Sequence, residues 1–159
     1  MSALLTTWRG PVAHEWVDYN GHLNDAYYMV IFSYATDGLM AHIGLDEAGR
    51  KATGHTMYTL EVHLNYVQEV HEGVDVEVHT QILGVDAKRV HLAHEMYRLH
   101  DGKRAATQEL MYLHVDLNIR RVVPWPDDVR ARIEAAQAAH ARVARPEWVG
   151  RRIAMPAPK

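Results

Sequence analysis

The stretch Ala26–Ile43, AYYMVIFSYATDGLMAHI, decides how the chain is read. Asp37 is its only Asp, Glu, Lys or Arg, and Ala26, Val30, Ser33, Asp37 and Met40 recur at helical spacing among Tyr28, Ile31, Phe32, Leu39 and Ile43. A helix that is apolar on almost every side has to be covered on almost every side. Asn24 or Asp25 can cap its start by accepting from free backbone N–H groups, and Gly44 is a natural left-handed stop after the last apolar turn. The expectation is one helix of about four to five turns.

Beyond this helix the apolar period changes from helical to alternating. Tyr58, Leu60, Val62, Leu64 and Tyr66 fall on one face and Thr59, Glu61, His63 and Asn65 on the other, which is strand alternation. Val74, Val76, Val78, Thr80 and Ile82 repeat the pattern after a turn centred on Gly73. Two further strands are expected at Arg89–Leu99 and Ala105–Leu117, joined through Asp101-Gly102, a strong hairpin signal. Upstream, Trp8–Val17 supplies a first strand, with Gly10-Pro11 putting its beginning at a sheet edge. Downstream, Val129, Ile133, Ala136, His140 and Val143 mark an amphipathic helix over Asp127–Val143, whose first turn carries Asp127 and Asp128. Residues 1–144 read as one domain and 145–159, rich in proline and arginine, as a tail that stays irregular unless it docks on a neighbour. A short strand, an apolar helix and four long antiparallel strands make an α+β order in which one five-stranded sheet must wrap around the central helix. That sheet covers one side only, so a second copy is expected to cover the other, giving a homodimer or homotetramer.

Composition removes several functions. The 159 residues carry 17 basic and 20 acidic side chains mixed along the length, for a net charge of -3, so no nucleic-acid partner is expected. No apolar run approaches the roughly 20 residues of a membrane helix and no leader pattern opens the chain, which suggests a cytoplasmic protein without a membrane partner. Cysteine is absent, and the two serines, Ser2 and Ser33, lie in no Gly-x-Ser-x-Gly motif. Catalysis must therefore rest on carboxylates, histidines or backbone groups. The 12 histidines invite a metal, but there is no His-Glu-x-x-His, and His91 and His94, three apart on a strand, face opposite sides. No metal and no cofactor is expected.

The chemistry concentrates in Glu15-Trp16-Val17-Asp18-Tyr19-Asn20-Gly21-His22-Leu23-Asn24-Asp25-Ala26-Tyr27-Tyr28, between the first strand and the helix. A carbonyl oxygen gaining negative charge is stabilised by the unpaired N–H groups of a helix start, and the helix opening near Asn24 offers them. Here the sequence resembles the hotdog-fold acyl-CoA thioesterases of the 4-hydroxybenzoyl-CoA thioesterase superfamily, through Asp18, Gly21, Asn24 and Tyr28 and the strand order over roughly residues 8 to 118. The resemblance implies a hotdog fold and acyl-CoA as substrate. It further implies Asp18 as nucleophile or general base, with Asn24 and the Asp25 amide beside the carbonyl and Gly21 leaving room for the substrate. More narrowly, Val17–Tyr28 followed by Phe32-Ser33 and Ala35-Thr36-Asp37 resembles the thioesterases of carnitine breakdown, which implies betainyl-CoA.

Each residue also has a plainer reading. Asp18 before Asn-Gly could be a turn former, Asn24 a helix cap, and His22 a structural residue in place of one that positions substrate or water. Asp37, a lone carboxylate on an apolar helix, is the reserve catalytic candidate, since another branch of hotdog thioesterases carries its carboxylate there; the competing role is a dimer-interface or core aspartate. Trp8, Trp16, Tyr27 and Tyr28 could face a quaternary ammonium group or merely pack the core. Lys88 and Arg89 could meet CoA phosphates, or be solvated hairpin ends. Two rival functions share the fold: an acyl-CoA hydratase or dehydratase, and a non-catalytic acyl-CoA-binding module.

Overall fold

The computed structural model describes residues 4–157. Its elements are β1 (Leu5–Pro11), a 3-10 turn (His14–Trp16), α1 (Asp25–Ile43), α2 (Glu47–Thr53), β2 (His55–Tyr66), β3 (Asp75–Val85), β4 (Arg89–Arg98), β5 (Arg104–Asp116), β6 (Arg121–Val122) and α3 (Asp127–His140). The sheet runs β1-β3-β4-β5-β2, all antiparallel, with the two-residue β6 added to β5. It curls around α1 as the hotdog expectation requires.

The helix forms where its signals put it. The Asn24 side chain accepts from the Ala26 N–H at 3.0 Å, and Gly44, at φ 84°, ends the helix in the left-handed region. Tyr28, Ile31, Phe32, Ala35, Leu39 and Ile43 are buried. One cluster packs the first half of α1 against Val76, Val78, Met96 and Ala106, and a second packs Leu39 and Ile43 against Ile82, Leu92, Leu110 and the α3 residues Val129, Ile133 and Ala136. Gly38 lets α1 close on β1: a Cβ there would drive into the Thr7 backbone carbonyl.

Four expectations change. Ala26, Met29, Ser33, Asp37 and Ala41 are exposed in the single chain, so α1 has a bare stripe and Asp37 is not buried within its own chain. The first strand runs Leu5–Pro11 instead of Trp8–Val17, because Pro11 has no N–H to extend the ladder and His14–Trp16 coil into a 3-10 turn. In β2 a bulge between Thr59 and Glu61 interrupts the alternation; Thr59 lies opposite Tyr112 and Val62 opposite Leu110, so Tyr58 and Leu60 leave the face that carries Val62 and Leu64. Both are 53% exposed, on an edge strand. Residues 147–150 dock on this chain's own sheet: Glu147 pairs with Arg104, Trp148 donates to Glu95, and the Gly150 N–H donates to Glu109.

Candidate active site at the start of the central helix

The segment before α1 is a closed loop held by its own backbone. Val17 and Leu23 pair across it, the Asp18 N–H donates to the His22 carbonyl at 2.9 Å, and the Gly21 N–H donates back to the Asp18 carbonyl at 2.9 Å. Gly21 sits at φ 75°, and a Cβ there would meet no described neighbour, so the left-handed turn itself selects glycine. The Leu23 N–H donates to Val70 at 2.7 Å and the Asn24 N–H to Trp16 at 2.9 Å, tying the loop to the β2–β3 connection and to the 3-10 turn.

This loop opens onto a cleft of about 370 Å³ lined by Asp18, His22, Leu23, Asp25, Tyr28 and the segment Tyr66–Glu69. The Asp18 Oδ1 accepts from the Asn20 N–H at 2.8 Å and more weakly from the His22 N–H at 3.4 Å, so the turn former and the cleft carboxylate are one residue. No cation pairs with Asp18 among the described residues. Asn24 is a cap, its Oδ1 engaged by Ala26, and the Asp25 carboxylate also accepts from the Ala26 N–H at 2.9 Å. The Asp25 N–H itself has no acceptor among the described residues, although it lies at the helix start where the dipole is positive. Two tyrosines form the far wall with rings edge to face at 5.2 Å: the Tyr28 hydroxyl donates to the Gln68 carbonyl and the Tyr66 hydroxyl to the Asp25 carbonyl. Burial pushes the Tyr28 phenol up to about 12, so it stays a neutral hydrogen-bonding group.

Of the residues singled out from sequence, the fold brings Asp18, His22, Asp25 and Tyr28 into one cleft with Gly21 and Asn24 shaping its loop. Trp16 and Tyr27 stand behind it, stacked at 6.2 Å, in a quartet with Trp8 and Tyr34 whose neighbouring centroids lie 6.2 to 6.4 Å apart. Asp37 is three turns further along α1, roughly 18 Å from its start, and faces another cavity with Met40, Asp46 and Tyr58. Lys88 and Arg89 sit at the β3–β4 hairpin, and the Asp18 loop lies at the other end of β4, roughly 30 Å away in the same chain. Arg89 is also held by Asp86 at 2.8 Å. Sequence reasoning missed Tyr66, Gln68, Glu69, Tyr34 and Arg98, whose guanidinium donates to the Glu69 carbonyl at 3.0 Å. Only Tyr66 carried a signal, as the last inward residue of an alternating strand that ends where the loop begins.

The profile of the Thioesterase-like superfamily matches residues 12–133. The chain is 54% identical over 156 residues to the betainyl-CoA thioesterase of Pseudomonas aeruginosa, covering 98% of each. It is 45% identical over 111 residues to the L-carnitine dehydrogenase/betainyl-CoA thioesterase of Agrobacterium fabrum, a match that takes in 70% of this chain and 22% of that longer one. Among solved structures, the hypothetical protein SAV2348 of Staphylococcus aureus, in complex with CoA, superposes with a TM-score of 0.89 at 31% identity over 96% of both chains. A candidate thioesterase of Pseudomonas putida KT2440 gives 0.85 at 41% identity over 97% of this chain and 98% of that one. With the family profile spanning residues 12–133 and a 54% identical relative matched over 98% of both chains, the chain belongs to the thioesterase-like superfamily.

Proposed function

We propose that Asp18 is the carboxylate that hydrolyses the thioester, and that the preferred acyl group is a small cation, betainyl. The chain is an acyl-CoA thioesterase, as its full-length likeness to one at 54% identity requires; the assignment of residues and acyl group is ours. The observation that carries it is the meeting, in one cleft, of the Asp18 carboxylate, which has no cation partner among the described residues, with the Asp25 N–H at the start of α1, which has no acceptor among them. The carbonyl oxygen sits on that N–H, where the helix dipole stabilises the charge it gains. Asp18 either attacks the carbonyl carbon, expelling CoA thiolate and leaving an anhydride for water to open, or takes a proton from a water that attacks in its place. A thiolate is a good leaving group, so one carboxylate suffices for both routes. Aromatic rings at the cleft support a cationic acyl group: Tyr28 and Tyr66 line it and the Trp8, Trp16, Tyr27 and Tyr34 rings pack together outside its lining, and a ring face turned to a trimethylammonium group is worth about 0.5–2 kcal/mol.

The site works in a homodimer or larger assembly in the cytoplasm. Support comes from the bare stripe of α1 and from the edge strand β2 with Tyr58 and Leu60 outward. Light scattering at micromolar concentration is expected to return at least twice the 18.1 kDa of one chain, and a monomer would remove this part.

The deciding experiment follows thiol release from betainyl-CoA, from 3,3-dimethylbutanoyl-CoA, its neutral isostere, and from straight-chain acyl-CoAs. Betainyl-CoA is expected to exceed the isostere by about 5- to 30-fold in kcat/KM, the range a cation–π preference supports. Equal values would overturn the cationic acyl group; Asp18→Asn turning over like wild type would overturn the site.

A further inference from the structure

We propose that His22, Glu69 and His71 form a binding site for a divalent transition-metal ion of the zinc type at the rim of the Asp18 cleft, and that an ion bound there suppresses turnover. One ligand atom from each of the three side chains lies within 4.8 Å of the others. The Glu69 Oε2 is 3.5 Å from the His22 Nε2 and the Glu69 Oε1 is 3.6 Å from the His71 Nε2. Those separations exceed a charge-assisted hydrogen bond, which closes to about 2.7–2.9 Å. They approach instead the edge of a ligand tetrahedron, roughly 3.3 Å when each metal–ligand bond is about 2.0–2.1 Å. Two imidazoles and a carboxylate suit zinc, nickel and copper, and leave a position open for water.

The backbone organises the three groups before any ion arrives. His22 and His71 pair in an antiparallel bridge, with the Leu23 N–H donating to the Val70 carbonyl beside it. Val70 is wholly buried, so its neighbours Glu69 and His71 turn outward on the same side. The side chains are 34%, 59% and 56% exposed for His22, Glu69 and His71, which leaves them reachable from solvent. His22 and His71 lie 49 positions apart in sequence, which is why no ligand spacing advertises the cluster.

The consequence for catalysis rests on the Asp18 reading. His22 and Glu69 line the cleft, and the His22 N–H reaches the Asp18 carboxylate at 3.4 Å. A dication held on this wall, with the water it carries, narrows the cleft the acyl group must enter and draws the Asp18 carboxylate toward itself and away from the thioester carbon. Neither imidazole Nδ1 donates to a carboxylate or carbonyl among the described residues, and lack of such support typically costs about 10- to 100-fold in affinity, so micromolar binding is expected.

The test titrates chelator-treated full-length protein with Zn2+ against a competing metal indicator, without substrate. Wild type is expected to take up one equivalent at micromolar affinity, and His71→Ala, outside the catalytic cleft, to bind at least 10-fold more weakly while keeping its zinc-free turnover. Glu69→Gln should weaken binding in the same sense. No uptake, or equal uptake by His71→Ala, overturns the site. Thiol release is then followed against zinc occupancy: a fall that tracks occupancy and moves to higher zinc in His71→Ala supports the inhibitory half, and turnover indifferent to bound zinc overturns it. Because binding is read without substrate, its failure is separate from any failure of Asp18 as the hydrolytic group.

Discussion

Two polar clusters lie along α1, one at its start and one at its middle, and they are built from similar side chains with opposite results. At the start, Asp18, His22, Glu69 and the Asp25 N–H border solvent, and several of their hydrogen-bonding positions are unclaimed. In the middle, Thr36, Thr80, His94 and Tyr112 are buried between the two apolar halves of the core. There the polar groups form one connected chain: Thr36 donates to the Phe32 carbonyl and is hydrogen-bonded to Tyr112 and to the His94 Nε2, the His94 Nδ1 is bonded to Thr80, and Thr80 is bonded to Thr7, which also reaches the Val78 carbonyl. Burial pushes the His94 imidazole down to about 3, so it is neutral in the native state. A cluster whose partners are all assigned contributes to stability and has nothing left to offer a ligand. One with vacancies contributes little to stability and can do chemistry.

The contrast can be broken at either end. The largest effect is expected at the open end: Asp18→Asn should lower kcat by about 10³-fold, roughly 4 kcal/mol, with the melting temperature nearly kept. A large stability loss with little kinetic loss would reverse the assignment of the two clusters. Next, His94→Leu should cost about 2–4 kcal/mol in denaturant unfolding, because it orphans buried hydroxyls of Thr36 and Thr80, with little change in kcat for the folded fraction. The smallest effect sharpens the comparison by acid. With His94 ionising at about 3 in the fold and near 6.5 unfolded, the unfolded chain binds the extra proton between these values. Stability is therefore full above about pH 6.5 and falls as pH drops toward 3, by about 2 kcal/mol at pH 5. The His114 and His140 imidazoles, also pushed down by burial, act with the same sign. His94→Leu should flatten part of this slope; an unchanged slope would show that the buried imidazole is not its source.

The core of the fold was legible because its signals are local. An apolar 18-residue run between Asn24 and Gly44 and alternating strands after it leave few arrangements, and α1, β3, β4 and β5 fall within three residues of expectation. What was misread depends on neighbours. The Leu60 bulge is invisible to a period count, since it is set by the partner strand β5. Helix α2 has no buried residue and so no apolar period; only the Asp46 cap and Gly54 stop marked it. At the site, the half contributed by Val17–Tyr28 was readable as a contiguous motif. The half contributed by Tyr66–Glu69 was not, Tyr66 apart, because those residues are brought to the cleft by the Leu23–Val70 and His22–His71 pairings beside them.

Gly38 carries a consequence for the distant helix start. The Thr7 carbonyl occupies the notch where a methyl group would stand, so the cylinder is keyed to the strand at one fixed height. The Asp25 amide, proposed to meet the thioester oxygen, lies about 13 residues upstream on the same rigid rod, some 20 Å away. Filling the notch would tilt or slide the rod and re-aim that amide before any core residue was lost, so the catalytic geometry is tuned from a position that touches no substrate.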